Sequence, residues 1–361
     1  MTIPASDCRA ARPLVSGFRR SALGLLALGG LARAASAADT GAPLTLVPVP
    51  VNAPNVVIVL LDDVGFGAAE TFGGPIPTPT LDRLAQQGLR YNRFHTTGIC
   101  SPTRASLLTG RNPHAVGVGA VLNSASNHPG KRGVLRDDAK TLAQVLGGAG
   151  YATGAFGKWH LTPDWETSPA GPFDRWPTRK GFDHFYGFLG GETHQFEPTL
   201  YEGTRPILRP PGDDYHLSED LAKRAASWLK EQHSIRPERP FFVYLATGAT
   251  HAPIHAPEAS IRPFRGKFDD GWDEQRRQTF AKQKALGILP ADTQLTPRPA
   301  ELPAWDSLSV DERRVASRLM EANAGFLTHA DQQVGQVVRA LEEIGELDET
   351  CLLYTSPSPR D

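Results

Sequence analysis

Asn55-Val56-Val57-Ile58-Val59-Leu60-Leu61 is an unbroken apolar run rich in β-branched side chains. Strict alternation would mark a strand with one wet face, whereas a continuous run predicts a strand buried on both. Phe241 to Ala246 repeats the pattern, and Tyr151 to Phe156 and Thr350 to Tyr354 read as further strands. Leu89 to Thr96 alternates more loosely and is read as a strand too. Elsewhere the period lengthens. Thr80 to Gln87 sets Leu81, Leu84 and Ala85 on a helical stripe closed by Gly88. Pro102 to Thr109 predicts a short helix with proline in its first turn and Gly110 after it. Ala139 to Leu146 and Ser218 to Gln232 read as helices, and the capping box Ser309-Val310-Asp311-Glu312 opens an amphipathic region reaching about Ile344. Strands alternating with helices predict an α/β sheet covered on both faces. Residues 162–216 and 253–306 read as loop-rich, and such loops usually shape a substrate site.

Composition narrows the class. The 361 residues are 40% hydrophobic and 21% charged with a net charge of −1, and no basic block invites nucleic acid. No apolar run reaches the length of a membrane span. The first residues read instead as an export signal. Arg9, Arg12, Arg19 and Arg20 form a basic region, Ser21 to Ala32 an apolar core, and Ala35-Ser36-Ala37 a small-residue cleavage site. Residues 1–37 are therefore expected to leave, 38–54 to form a linker, and the product to be periplasmic or secreted by a bacterium. Arg19-Arg20 would also suit a twin-arginine signal. Cys8 departs with the signal, which leaves Cys100 and Cys351, too few for a disulfide framework. Cys100 is then either a buried filler or a reactive centre.

Candidate chemistry gathers at strand ends. Asp62 and Asp63 follow the first strand directly, where open α/β sheets bind ligands. Adjacent carboxylates there suit a hard divalent cation, although a turn or helix cap would use aspartate as well. In Cys100-Ser101-Pro102-Thr103-Arg104 the thiol lies just before a helix start, where backbone N–H groups favour negative charge, and Arg104 lies one turn on. A reactive thiol, as in a cysteine hydrolase, and a structural cysteine both stay open at this point. Lys158 and His160 flank a tryptophan that could be core, and His251 before Ala-Pro could be a loop histidine bonded to backbone.

Cys-x-Pro-x-Arg, continued by Ala105-Ser106-Leu107-Leu108-Thr109-Gly110-Arg111, resembles the signature of the type I sulfatases. Asp62-Asp63-Val64-Gly65-Phe66-Gly67 is similar to that family's first metal motif, Gly157-Lys158-Trp159-His160 to its lysine–histidine pair, and Thr250-His251-Ala252-Pro253 to the site of a further histidine. The likeness runs over about residues 54 to 355. It implies the fold of that alkaline-phosphatase-like superfamily, with a central mixed, largely parallel sheet and helices on both faces. It also implies that a formylglycine-generating enzyme oxidises Cys100 to formylglycine. The implied function is hydrolysis of a small-molecule or carbohydrate sulfate ester. In that scheme Asp62, Asp63 and the modified Cys100 would bind Ca2+, ahead of Mg2+. Arg104 would stabilise the hydrate, Lys158 would bridge nucleophile and sulfate, His160 would act as base, and His251 would donate to the sulfate or the leaving oxygen. The alternatives are a phosphonate or phosphate ester hydrolase of the same superfamily and an exported binding module that turns nothing over.

One departure is plain. Where the family pattern places Asp-Asn-Gly after Tyr-Thr-Ser, this chain has Leu353-Tyr354-Thr355-Ser356 followed by Pro357-Ser358-Pro359-Arg360-Asp361. The expectation is a truncated fragment. Residues 55–356 would be an incomplete catalytic domain, 357–361 a non-native tail, and the family's small C-terminal domain would be missing. Such a chain is expected to be inactive or very weak, and poorly soluble because a sheet edge is uncovered.

Overall fold

The computed structural model describes residues 52–356. The export signal, most of the linker and the tail 357–361 lie outside the described residues. Five strands run parallel: β1 (Asn55–Leu60), β2 (Ala152–Lys158), β3 (His184–Phe188), β6 (Phe241–Ala246) and β7 (Thr350–Thr355). Two short strands, β4 (Leu200–Glu202) and β5 (Arg205–Ile207), add an antiparallel hairpin at one edge. Among the described residues the order is β5-β4-β3-β2-β6-β1-β7, a mixed and largely parallel sheet as expected.

The continuous apolar runs explain themselves once the two faces are separated. Ile58 and Leu60 of β1, with Phe242 and Tyr244 of β6, point into a core shared with Ala105 and Leu108 of α2 (Cys100–Thr109) and Ala143 of α3 (Leu142–Gly148). Val57, Val59, Val243 and Leu245 point the other way, onto Leu221 and Leu229 of α4 (Leu217–Ile235) and Val334, Val338 and Leu341 of α7 (Val310–Glu343). Each such side chain contributes about 1.5–3 kcal/mol by leaving water. A slip of one residue would exchange the two cores.

Backbone packs on backbone where β2, β3 and β6 meet. Gly157 has φ +104°, and a Cβ there would lie 2.0 Å from the Ala246 carbonyl oxygen. A Cβ on Gly187 would lie 2.0 Å from the Gly157 carbonyl oxygen. Helix α1 (Pro79–Gln87) is held by α7: the Asp331 carboxylate accepts the N–H groups of Thr80 and Leu81 at 2.8 and 3.0 Å. Tyr354 of β7 donates to the same carboxylate at 3.3 Å. At the α7 start the capping box forms as read, with Ser309 and Glu312 bonding reciprocally.

A histidine cluster lies between α4, α7 and the chain after β6. His216 is buried, accepts the Ser218 N–H on Nδ1 at 3.2 Å, and has Nε2 3.0 Å from the His255 carbonyl. Its ring centre is 4.4 Å from that of His329, which meets Glu219 at 3.3 Å. Burial, reinforced by His329, pushes His216 down to about 4.

Several expectations need correction. Leu89 to Thr96 is not a strand but an exposed connection, because no neighbour offers it a ladder and Leu89, Tyr91 and Phe94 stay in solvent. The helix read from Pro102 starts at Cys100, so the cysteine is its first residue rather than its predecessor. The helix read from Ala139 starts at Leu142, after a capping box from Thr141 to Gln144. The loop-rich regions also hold elements: β3 to β5 in the first, and α5 (Glu258–Ile261) and α6 (Gly271–Ala285) in the second.

Candidate active site

The carboxyl ends of β1, β2, β3 and β6 open toward one place, and the chain leaving each strand carries polar side chains into it. Asp62 follows β1 and is tied to the segment after β6: its N–H donates to the Ala249 carbonyl, and its carbonyl accepts from the Thr250 N–H. Asp63 has φ +56° and His160 φ +52°, the left-handed region that non-glycine residues seldom occupy. Such strain gathers where a function requires it.

The Asp62 carboxylate is fully buried between two cations. Lys158, the last residue of β2, places Nζ on Oδ2, and Arg104 places a guanidinium nitrogen 3.3 Å from Oδ1. Burial alone would raise this carboxyl, but Arg104 and Lys158 hold it below its ordinary value. Arg104 also donates to the Lys158 carbonyl at 2.9 Å and to the Tyr244 hydroxyl at 3.2 Å, while its Nε has no partner among the described residues. Helix α2 makes this possible. Arg104 lies one turn beyond Cys100, and Gly110, at φ +65°, closes the helix.

Cys100 Sγ lies 3.2 Å from His160 Nδ1, and both residues are buried. Burial, then the charges of Lys158 and Arg104, drive His160 well below its ordinary value, so the imidazole is neutral and can accept a proton. Trp159 is core, with its indole N–H on the Arg175 carbonyl, so the plain reading of that residue holds while its two neighbours face the site. His251 sits at the rim. Its Nε2 is 3.8 Å from an Asp63 carboxylate oxygen, and its Nδ1 is 2.7 Å from the Ala252 carbonyl and 4.0 Å from Glu192.

Asp62, Cys100, Arg104, Lys158 and His160 therefore form one connected set, with Asp63 and His251 beside it. Three contributors escaped the sequence reading. Tyr244 sits inside an apolar strand and carried no signal. Gly191 lies against the His160 ring, and Glu192 reaches His251; both are in the chain after β3, and the pair Gly190-Gly191 was the available hint.

In kind, Asp62 and Asp63 fit a hard divalent cation, which takes six to eight oxygen ligands. In number and present pairing they do not: no three histidine, cysteine, aspartate or glutamate side chains converge on one point among the described residues, and both Asp62 oxygens are held by cations. Position 100 is better prepared. It is flanked by a neutral imidazole and lies one helical turn from a buried guanidinium, a setting suited to a nucleophile.

Residues 54–356 match the family model described as Sulfatase. An arylsulfatase of Klebsiella aerogenes is 33% identical over 315 residues, covering 83% of this chain and 65% of that protein. The crystal structure of a putative sulfatase, yidJ, from Bacteroides fragilis superposes with a TM-score of 0.64 at 21% identity, over 85% of this chain and 62% of that one. The phosphonate monoester hydrolase of Agrobacterium radiobacter shares the fold at a TM-score of 0.52 and 21% identity, over 84% and 62%. The chain thus spans less than two thirds of these proteins. No helix among the described residues is long and apolar enough to cross a membrane.

Proposed function

The chain belongs to the sulfatase family, and on that premise we propose that it serves sulfate ester hydrolysis through a nucleophile made from Cys100. The observation that carries this reading is the 3.2 Å contact between Cys100 Sγ and the neutral His160, one helical turn from the buried Arg104. A sulfate ester is an anion that repels anionic nucleophiles, so cations fixed in a dry site are worth most there.

Conversion of Cys100 to formylglycine by a formylglycine-generating enzyme belongs to the proposal. The hydrated aldehyde supplies an attacking oxygen and a second hydroxyl through which sulfate is released, whereas a thiol would be trapped as a stable ester. Arg104 stabilises charge at position 100 from one turn below, fixed by Tyr244, Asp62 and the Lys158 carbonyl. Lys158 presents its ammonium to the sulfate. His160 takes a proton at position 100, and His251 donates from the rim to the sulfate or to the leaving oxygen. The net reaction consumes ester and water and yields alcohol and hydrogensulfate. A bound Ca2+ would add positive charge at Asp62 and Asp63, and no step above depends on it.

Aryl sulfates are the first substrates to try, given the arylsulfatase relative, and sugar sulfates the second. Export to the periplasm or medium is part of the same proposal. The test is to co-express the chain with a formylglycine-generating enzyme and weigh the tryptic peptide Phe94 to Arg104. An aldehyde in place of the thiol supports a formylglycine hydrolase. An unmodified thiol, with the maturation enzyme shown to be active, would leave a binding module. Relative rates on aryl sulfate and phosphonate esters separate the two hydrolase readings, because fold alone does not decide between them.

A further inference from the structure

Two segments that supply the rim of the site meet at one buried side chain. Gln195 lies in the chain between β3 and β4 and is 2% exposed. Its carboxamide rests on the backbone of Gly248, just after β6: a Cβ on Gly248 would come within 2.8 Å of Nε2. The Gln195 carbonyl accepts the Leu217 N–H at 2.8 Å, which ties this segment to the start of α4. Nε2 donates to the Thr193 carbonyl at 3.2 Å, while Oε1 has no partner among the described residues. Thr247, the residue before Gly248, is buried with its hydroxyl unpartnered as well. Buried polar atoms left unpaired are costly, so stability alone does not account for two of them beside one joint.

What rests on this joint is His251. Gly248 to His251 forms a turn in which the His251 N–H donates to the Gly248 carbonyl at 3.0 Å. The middle of the turn is held by the main chain of Asp62, which bonds Ala249 and Thr250. Its first residue meets Gln195 instead. We infer that Gln195 is a positioning residue for His251: its carboxamide is a wedge that fixes Gly248, and with it the direction in which the turn presents the imidazole to the leaving oxygen. The inference rests on the proposed role of His251 as donor to that oxygen. Shape carries the effect, since Nε2 donates within its own segment and Oε1 is unpaired. The same segment sets Gly191 against His160 and Glu192 near His251, so one wedge registers both proton-transfer groups.

Amide exchange, followed by nuclear magnetic resonance on the unconverted chain, keeps failure here distinct from failure to form the aldehyde or to hydrolyse. In Gln195→Ala the His251 N–H should exchange about tenfold faster or more, while the N–H groups of Asp62 and Thr250 keep their protection, as in a local opening. Gln195→Met, similar in length and without the amide, should restore the wild-type value. Gly248→Ala drives a methyl group into the carboxamide and should raise exchange at His251 too. Adding Gln195→Ala to it should bring part of the protection back, because the two changes share one contact. Unchanged exchange at His251 in Gln195→Ala overturns the inference, and so does an equal rise at all three amides. Should Gln195→Ala not fold, Gly248→Ala decides alone, by whether His251 opens ahead of the other two. In a converted chain that turns over aryl sulfates, a displaced donor costs most where the leaving oxygen is most basic. Gln195→Ala should then lower kcat about tenfold or more on phenyl sulfate but less than about threefold on para-nitrophenyl sulfate. Equal losses on the two esters would overturn the link to the leaving oxygen.

Discussion

Gly191 lies so close to His160 that a Cβ at position 191 would come within 2.9 Å of both Cε1 and Nε2 of the imidazole. The ring is the group proposed to take a proton at position 100, and its Nδ1 already points there. Gly191→Ala must therefore move the ring or the loop by several tenths of an ångström. A misplacement of about 1 Å can cost about a hundredfold when the displaced group acts in the chemistry, which sets the upper bound here. Where the converted chain turns over an aryl sulfate at a measurable rate, that rate should fall by about tenfold to a hundredfold relative to wild type, with thermal stability little changed. A variant that keeps its full rate would show that His160 does not need its present position.

Arg104→Ala and Tyr244→Phe should separate a buried charge from a buried hydroxyl. The first strips Asp62 of one counter-ion in a site closed to water and should destabilise by about 3–5 kcal/mol. The second removes one hydrogen bond and should cost about 1 kcal/mol. Urea unfolding of the two variants measures both. Equal losses would mean that Arg104 is held mainly by packing.

Acid should unfold the chain through His216. Its folded value of about 4 lies below the ordinary value of 6.5, so the neutral form is the one that the fold favours. That contribution is fully present above pH 6.5 and is lost as pH falls toward 4, by about 3 kcal/mol over the window. His329 and His255 are depressed as well and act in the same direction; His194 reinforces burial at His255, and Glu219 is the facing carboxylate that opposes the shift at His329 and His216. Stability from urea midpoints between pH 7 and pH 4.5 should decline steeply, and a flat profile would contradict the buried neutral cluster.

Asp331→Ala should loosen α1 from α7. The carboxylate satisfies two N–H groups at the helix start, and losing such a cap costs about 0.5–2 kcal/mol. Hydrogen exchange should rise first in the opening turn of α1, at Thr80 and Leu81. Exchange that rises uniformly instead would point to a global rather than a local role.

The strands of the sheet centre were legible because burial on both faces leaves no polar residue to interrupt the run, as in β1 and β6. The hairpin β4–β5 was not, since three-residue strands are too short for a period to emerge. Leu89 to Thr96 misled for the opposite reason: it has strand composition without a neighbour to pair with. In the site, the charged and ring-bearing members could be named because sulfatases resemble one another in those short motifs. Tyr244 and Gly191 could not. One is a hydroxyl within an apolar strand, and the other acts by having no side chain.

At Gly157 and Gly187 the sheet leaves no room for a methyl group, since backbone oxygen atoms occupy the place where one would sit. Neither residue would touch a substrate, yet Lys158 and His160 stand directly on that floor. A saturation library scored by turnover would therefore rank positions 157 and 187 beside Cys100 as intolerant. Scored by soluble yield, the glycines would fail again while Cys100→Ser would pass. The two screens together would tell apart residues that hold the site up from residues that work within it.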